Sequence, residues 1–391
     1  MLSTSLFLAG SALTTRGLIS LTKLPQAYHY SFEETCKNSG FNFASHKLTT
    51  KDGYSLSLFQ VSSKSSSNKK PVLMVHGLTQ TGFNFIVNQS TLAPAFRLAS
   101  AGYDVWLLNT RGNHYSQSHK LIPVTDESFW KWTAYHISVY DLPSSIDYIL
   151  SKTSTKKLHY IGHSQGGHVL LSLLSLIPEY NNKIALASLL APVGGTILAN
   201  TNYFKAMIDP KNIKKLQSKQ KYCFGSIATD RSIIAKFMYE FPHIGKYLMF
   251  DRYDPRYTND SVEHLPYYAF KLGGGTSLMN LRYYRQLKDE NRVLPRAYDY
   301  GKPELNAEVY GDASPPVIDF SKIKADLALF YGRYDKIVGP NDGIQLLEVL
   351  NKDAVVFKDI DLKIDHAGFI LSSDQSHFNT IIDFMEKYKI I

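Results

Sequence analysis

The chain has little cysteine, no long apolar run and no acid near its amino terminus, and each shortage removes a class of protein. Cys36 and Cys223 are the only cysteines in 391 residues. Two thiols build neither a disulfide framework nor a cysteine-ligated zinc site. One long-range disulfide and two unpaired thiols both stay open. No uninterrupted apolar stretch is long enough to span a bilayer, so no transmembrane segment is expected. The net charge is +9, but the lysines are dispersed, and the doublets Lys69-Lys70, Lys156-Lys157 and Lys214-Lys215 are short. That is the pattern of solubilising charge rather than of a nucleic-acid footprint. No Asp or Glu precedes Glu33. This acid-free opening is rich in Ser and Thr and holds the apolar run Leu6–Leu13, so residues 1–28 read as a targeting leader. Entry into the secretory pathway, lysosomal or extracellular, is the reading taken. An organellar transit peptide or lipid-droplet association is its alternative. In the secretory case the sequons Asn88-Gln89-Ser90 and Asn259-Asp260-Ser261 become glycosylation acceptors.

What is present points to a folded α/β chain. Its 391 residues can bury a large core, and 26 Tyr and 21 Phe exclude a chain disordered in bulk. Lys47–Val61 reads as a hairpin around the turn Lys51-Asp52-Gly53. Strands are then expected at Val72–Val75, Asp104–Leu108, Leu158–Ile161 and Ala185–Leu190, alternating with helices at Leu92–Ser100, Leu142–Leu150 and Val169–Leu176. Such alternation implies a mostly parallel sheet with helices on both faces. The rhythm stops after Pro192. Residues 196–314 are helical, aromatic and turn-rich. It resumes with strand Leu327–Tyr331, a helix over Asp342–Leu350, strand Ala354–Phe357 and a last helix up to Lys389. The expected division is a core of residues 29–195 and 315–391 interrupted by an insertion, residues 196–314. That insertion would lie over the carboxyl ends of the strands, where open α/β sheets carry their sites.

Gly162-His163-Ser164-Gln165-Gly166 stands between an expected strand and an expected helix. That context makes the pentapeptide a nucleophile elbow, with Ser164 exposed on a strained turn. The competing reading is a glycine turn whose serine caps a helix. A serine nucleophile needs a base and a carboxylate to orient it, and in α/β-hydrolases these follow the serine in the order acid, then His. Asp335 follows strand Leu327–Tyr331, and His366 lies in the loop before the last helix. Asp342 and Asp365 compete for the acid role. Asp342 reads more simply as a first-turn helix residue, and Asp365 adjoins His366 and so points elsewhere. The oxyanion hole takes one N–H from Gln165 and a second from Leu78, in His76-Gly77-Leu78 after the strand Val72–Val75. His76 precedes the serine and so reads as a brace of that loop. His163 packs beside the elbow. His114 and His119 flank a turn without clustered acids, so no metal is expected. Gly273-Gly274-Gly275 lacks the strand and the Gly-Lys-Ser/Thr of a phosphate loop and reads as a flexible bend.

The motifs together resemble the acid lipases of the α/β-hydrolase superfamily, the gastric and lysosomal acid lipases with their steryl-ester-hydrolase relatives. The resemblance runs from about His46 to Phe384. It is carried by Asp52-Gly53-Tyr54, His76-Gly77-Leu78, Gly102–Leu107, Asn109-Thr110-Arg111-Gly112-Asn113, Phe129-Trp130, Tyr140-Asp141-Leu142-Pro143 and the elbow. Within the insertion it is carried by Gly275-Thr276-Ser277 and Ala297–Gly301. Leu108 and Gly167 depart from the pattern, and the family's pair of cap cysteines is not reproduced. The resemblance implies an α/β-hydrolase fold with the insertion as cap and lid. It also implies hydrolysis of triacylglycerols or steryl esters by Ser164, Asp335 and His366, without a cofactor. Neutral lipid esters and a lipid interface would be the partners. Phe237, Met238, Tyr239, Phe241, Tyr247, Met249 and Phe250 would line an acyl pocket, meet the interface or pack the cap itself. The same triad would also serve an acyltransferase, and a non-catalytic lipid-binding protein on this fold is the reading from another class.

Overall fold

The computed structural model describes residues 23–64, 70–199, 201–219, 222–224, 228–241, 265–388 and 390. Asn259, Tyr247, Met249 and Phe250 lie outside them, as do residues 1–22 of the expected leader. The hairpin forms as expected: β1 (Asn42–Thr49) pairs antiparallel with β2 (Tyr54–Ser62) across the turn at Asp52-Gly53. The apolar runs then become β3 (Lys70–Val75), β4 (Tyr103–Asn109), β6 (Leu158–His163), β7 (Ile184–Leu190) and β10 (Leu327–Gly332), with β11 (Val355–Leu362) at the edge. The sheet order is β1-β2-β4-β3-β6-β7-β10-β11, and the short β5 (Ser118–His119) pairs with β2. From β4 to β11 every neighbour is parallel. This is the mostly parallel sheet expected of the α/β-hydrolase fold.

β11 runs further than the apolar segment Ala354–Phe357. Lys358, Asp359 and Asp361 continue it, with Lys358 and Asp361 exposed and Asp359 half-buried, because an edge strand tolerates charge and is protected by it. The last helix is broken in two, Gly368–Leu371 and Ser376–Lys387. Asn88 explains where the break falls. Its side-chain amide donates to Ile370 O (3.1 Å) and Ser372 O (3.2 Å), taking up carbonyls at the end of the first piece.

The elbow helix, Gln165–Leu176, is buried on all faces except at its last residue. A helix so enclosed must lie against its strands very closely. Gly166 is the point of contact: a Cβ there would stand 2.1 Å from Val75 O. Only glycine permits that approach.

Between β7 and β10 lie helices Asn202–Met207, Pro210–Gln217, Ala228–Glu240, Leu265–Lys271, Leu278–Glu290 and Pro303–Tyr310. A two-stranded ribbon joins β8 (Cys223–Phe224) to β9 (Thr276–Ser277). Leu24 and Tyr28 pack against Ala235, Tyr267 and Phe270 of this segment. The two cysteines are not joined. Cys36 is buried, and burial pushes its thiol up to about 12.

One ion cluster ties the amino-terminal hairpin to the rest. Arg111, just past β4, is fully buried. Its guanidinium donates to both oxygens of Asp52 (2.7 and 3.0 Å) and to Asp141 (2.7 Å), and lies 4.1 Å from the centre of the Tyr54 ring. Three motifs far apart in sequence are therefore one contact. Arg111→Ala leaves Asp141 buried without its cation and lowers unfolding stability by about 3–5 kcal/mol. Urea denaturation measures this, and a loss under about 1 kcal/mol contradicts the role given to the cluster.

Candidate active site

Ser164 follows the last residue of β6 and has φ 55° and ψ −115°, a conformation rare for any residue but glycine. Its N–H donates to Leu190 O (2.8 Å), which fixes the turn to the end of β7. The elbow helix starts at the next residue, so the serine stands at a helix N-terminus, where negative charge is favoured. This is the strained strand–turn–helix that the pentapeptide leads one to expect, and it is not a helix-capping serine: Ser164 makes no side-chain cap bond.

Asp335 lies past the end of β10, and His366 past the end of β11. They meet: His366 Nδ1 is 2.6 Å from Asp335 Oδ2. The other oxygen of Asp335 accepts from the N–H groups of Ile337 (2.7 Å) and Val338 (2.8 Å), so the carboxylate is held rigidly. Burial opposes charging of the His366 ring. The Asp335 carboxylate and its hydrogen bond, aided by Asp365 and Asp342, outweigh this and raise its pKa above the ordinary histidine value. The two competing acids are engaged elsewhere. Asp342 sits in the first turn of helix Pro340–Val349 and accepts from Leu198 N and Gly339 N. Asp365 turns back to accept from Gly368 N (2.7 Å).

The elbow and the His366 loop are joined through His163. Its ring N–H donates to His366 O (3.0 Å), and the two rings lie 4.8 Å apart. Burial and the nearby His366 keep the His163 ring neutral. Sequence alone places His163 beside the elbow. The bond to the His366 carbonyl has no sequence signal, because the two are remote in the chain.

The His76-Gly77-Leu78 loop closes against the serine. A Cβ at Gly77 would stand 3.2 Å from Ser164 Cβ. Gly77 N donates to Gln80 Oε1 (2.9 Å). His76 braces the loop, as expected: Nδ1 binds Gly77 O (2.8 Å), and Nε2 accepts from Thr110 N (3.3 Å) and Asn113 Nδ2 (3.2 Å). Burial lowers its pKa to about 4, which keeps Nε2 an acceptor. No acceptor among the described residues meets the N–H of Leu78 or of Gln165.

Gly273-Gly274-Gly275 is not the flexible bend that its composition suggests. Gly274 N donates to Thr79 O (2.7 Å), and a Cβ at Gly274 would stand 2.1 Å from Gln80 O. Glycine serves here for close packing onto the loop after β3. His119 is a turn brace: Nε2 binds Asp52 O, and Nδ1 accepts from Leu121 N and Ile122 N. Among the described residues no group of three or more His, Cys, Asp or Glu is placed to hold a metal ion.

Comparison with known proteins agrees with this fold. A family model described as alpha/beta hydrolase fold matches residues 70–373. A second, described as partial alpha/beta-hydrolase lipase region, matches residues 32–89. The chain is an α/β-hydrolase of the acid-lipase family. It is 30% identical to gastric triacylglycerol lipase of Mus musculus, covering 88% of this chain and 89% of that one. It is 32% identical to lipase lipl-1 of Caenorhabditis elegans, again over 88% and 89%. A solved structure from Sulfolobus solfataricus shares the fold with a TM-score of 0.62 at 14% identity, covering 90% of this chain and 95% of that one.

One sequon is closed by the fold of this acid lipase. Asn88 is 6% exposed, and both hydrogens of its amide are donated to backbone carbonyls. A glycan on that nitrogen would replace one of them. Peptide mass mapping of the protein expressed through a secretory pathway is expected to find Asn88 unmodified. Ser90→Ala, which removes the sequon at an exposed position, leaves electrophoretic mobility unchanged. A glycan found on Asn88 contradicts this.

Proposed function

We propose that this carboxylic ester hydrolase cleaves neutral-lipid esters, triacylglycerols or steryl esters, through an acyl-enzyme on Ser164. The observation that carries the reading is the Asp335–His366 hydrogen bond, on a loop tied to His163, the residue before the elbow serine. Ser164 attacks the ester carbonyl while His366 accepts its proton. The N–H groups of Leu78 and Gln165 receive the charge that develops on the carbonyl oxygen. His366 then protonates the departing alcohol. Water enters by the same route in reverse, with His366 again as base, and releases the fatty acid.

The segment between β7 and β10, taken as residues 196–314, is the cap of this reading. On helix Ala228–Glu240, Ile233, Ile234 and Tyr239 are exposed apolar side chains, and Phe241 follows just past its end. Such a surface suits a lipid interface. Met238, by contrast, is buried and belongs to the cap's own packing. Among the described residues no helix is long and apolar enough to cross a membrane. For compartment we infer entry into the secretory pathway, on the acid-free amino-terminal stretch and the gastric lipase among the relatives.

Ser164→Ala should lower kcat on trioleoylglycerol and cholesteryl oleate by a factor on the order of 10⁶. Retained turnover of both esters refutes the assignment. Asp335→Asn should cost on the order of 10⁴ and also carries a pH signature. The Asp335 carboxylate stabilises the His366 imidazolium, so its removal lowers that pKa. Unprotonated base then persists to lower pH, and the acid limb of kcat/KM moves to lower pH. A limb that stays in place or moves upward contradicts the pairing.

A further inference from the structure

Both N–H groups assigned to the oxyanion hole are braced by one short stretch of the segment between β7 and β10. The first lies in the loop after β3, where Thr79 holds φ 62°, a left-handed conformation that a β-branched residue rarely adopts. What holds it is the Thr79 carbonyl, which accepts from Gly274 N (2.7 Å) and Gly275 N (3.4 Å). The contact is close enough that any side chain at Gly274 would strike Gln80 O. The position of Leu78, one residue before Thr79, is thereby tied to residues 274 and 275.

The second donor belongs to Gln165, whose side chain reaches away from the elbow. Its Oε1 accepts from Asn280 Nδ2 (2.9 Å) and from the Tyr284 hydroxyl (3.0 Å). Both lone pairs of that oxygen are used. Asn280 and Tyr284 are one turn apart on helix Leu278–Glu290 and so share a face. Both are buried, and burial keeps the tyrosine pKa well above its ordinary value, so the hydroxyl stays a donor. The helix start is itself anchored to the core. Asn280 Oδ1 accepts from Ala134 N (2.8 Å), and Ser277 Oγ donates to Trp132 O (2.6 Å). Gln165 is the first residue of the elbow helix, so fixing its side chain restrains the direction of its own N–H.

We infer that the stretch from Gly274 to Tyr284 is the positioning element of the oxyanion hole, with Asn280 and Tyr284 acting through Gln165 and Gly274 acting through Thr79. The inference rests on the acyl-enzyme reading above. These residues touch neither substrate nor the reacting atoms. They hold two donors at the separation the transition state requires, and a displacement well under the length of a bond weakens both.

The test uses the full-length enzyme with its active sites counted by a fluorophosphonate ester. Per titrated site, Tyr284→Phe and Asn280→Ala should lower kcat about 10- to 100-fold with little change in KM. Affinity for a trifluoromethyl ketone, which places an oxyanion in the hole, should fall in parallel. Affinity for a non-hydrolysable ether analogue should not. In a Gln165→Ala background, which keeps the backbone N–H but lacks the oxygen, Tyr284→Phe should cause no further loss. Gly274→Ala acts on the other donor, so its effect should multiply with that of Tyr284→Phe. The inference is overturned if Tyr284→Phe leaves kcat per site unchanged, or if its loss persists undiminished in the Gln165→Ala background. A wild-type enzyme that takes no phosphonyl group removes the acyl-enzyme reading and this inference together. A wild type that titrates normally beside unaffected variants removes the inference alone.

Discussion

The approach of the elbow helix to β3 and β6 is the constraint on which the rest of the site depends. Gly166 lies so close to Val75 O that no side chain fits between them, and the Tyr160 hydroxyl donates to Gly166 O (2.7 Å) across the same contact. To enter a helix at that distance the chain must reverse within one residue, and Ser164 takes the strained φ. Such a conformation costs on the order of 1–3 kcal/mol, and the burial of almost the whole helix behind it offsets that cost. The strain has a chemical result. It lifts the serine out of the sheet at the carboxyl end of β6, between the loops that follow β3, β10 and β11.

Those loops do not hold themselves. The loop after β3 is bound through His76 to Thr110 and Asn113, and that second loop is pinned in turn by Arg111 between Asp52 and Asp141. The His366 loop is fixed by the His163 ring on one side. On the other, Asn88 takes up the carbonyls of Ile370 and Ser372. A buried cation and a few buried amides thus transmit the rigidity of the sheet to a site made of loop residues, as pre-organised catalysis requires.

The parallel core was legible in the sequence because strands enclosed on both faces are continuous apolar runs, and β3, β4, β6, β7 and β10 are of that kind. The ends of β11 and of the last helix were not. β11 is an edge strand whose charges hide its length, and the helix breaks where Asn88 claims its carbonyls from far along the chain. Ser164, Asp335 and His366, the residues of the proposed triad, could be picked out because each follows a readable strand in a fixed order, and of these contacts the structure gives the Asp335–His366 bond. The residues that brace them were only half legible. Asp52, Arg111 and Asp141 stood out as motif members, yet nothing in their spacing shows that they touch. Gly274 looked like a flexible residue, since glycine for close packing and glycine for freedom are the same letter. Asn280 and Tyr284 lie on an ordinary helical face, and their contact with Gln165 is purely tertiary.

The most direct test is the identity of the atom that carries the acyl group. The enzyme is reacted with a fluorophosphonate ester of a long-chain alcohol, digested, and the adduct located by mass spectrometry. The adduct is expected on Ser164 in stoichiometric yield, and His366→Ala should slow its formation by orders of magnitude. An adduct on a different residue, or full ester turnover by an enzyme whose Ser164 stays unmodified, would contradict the account.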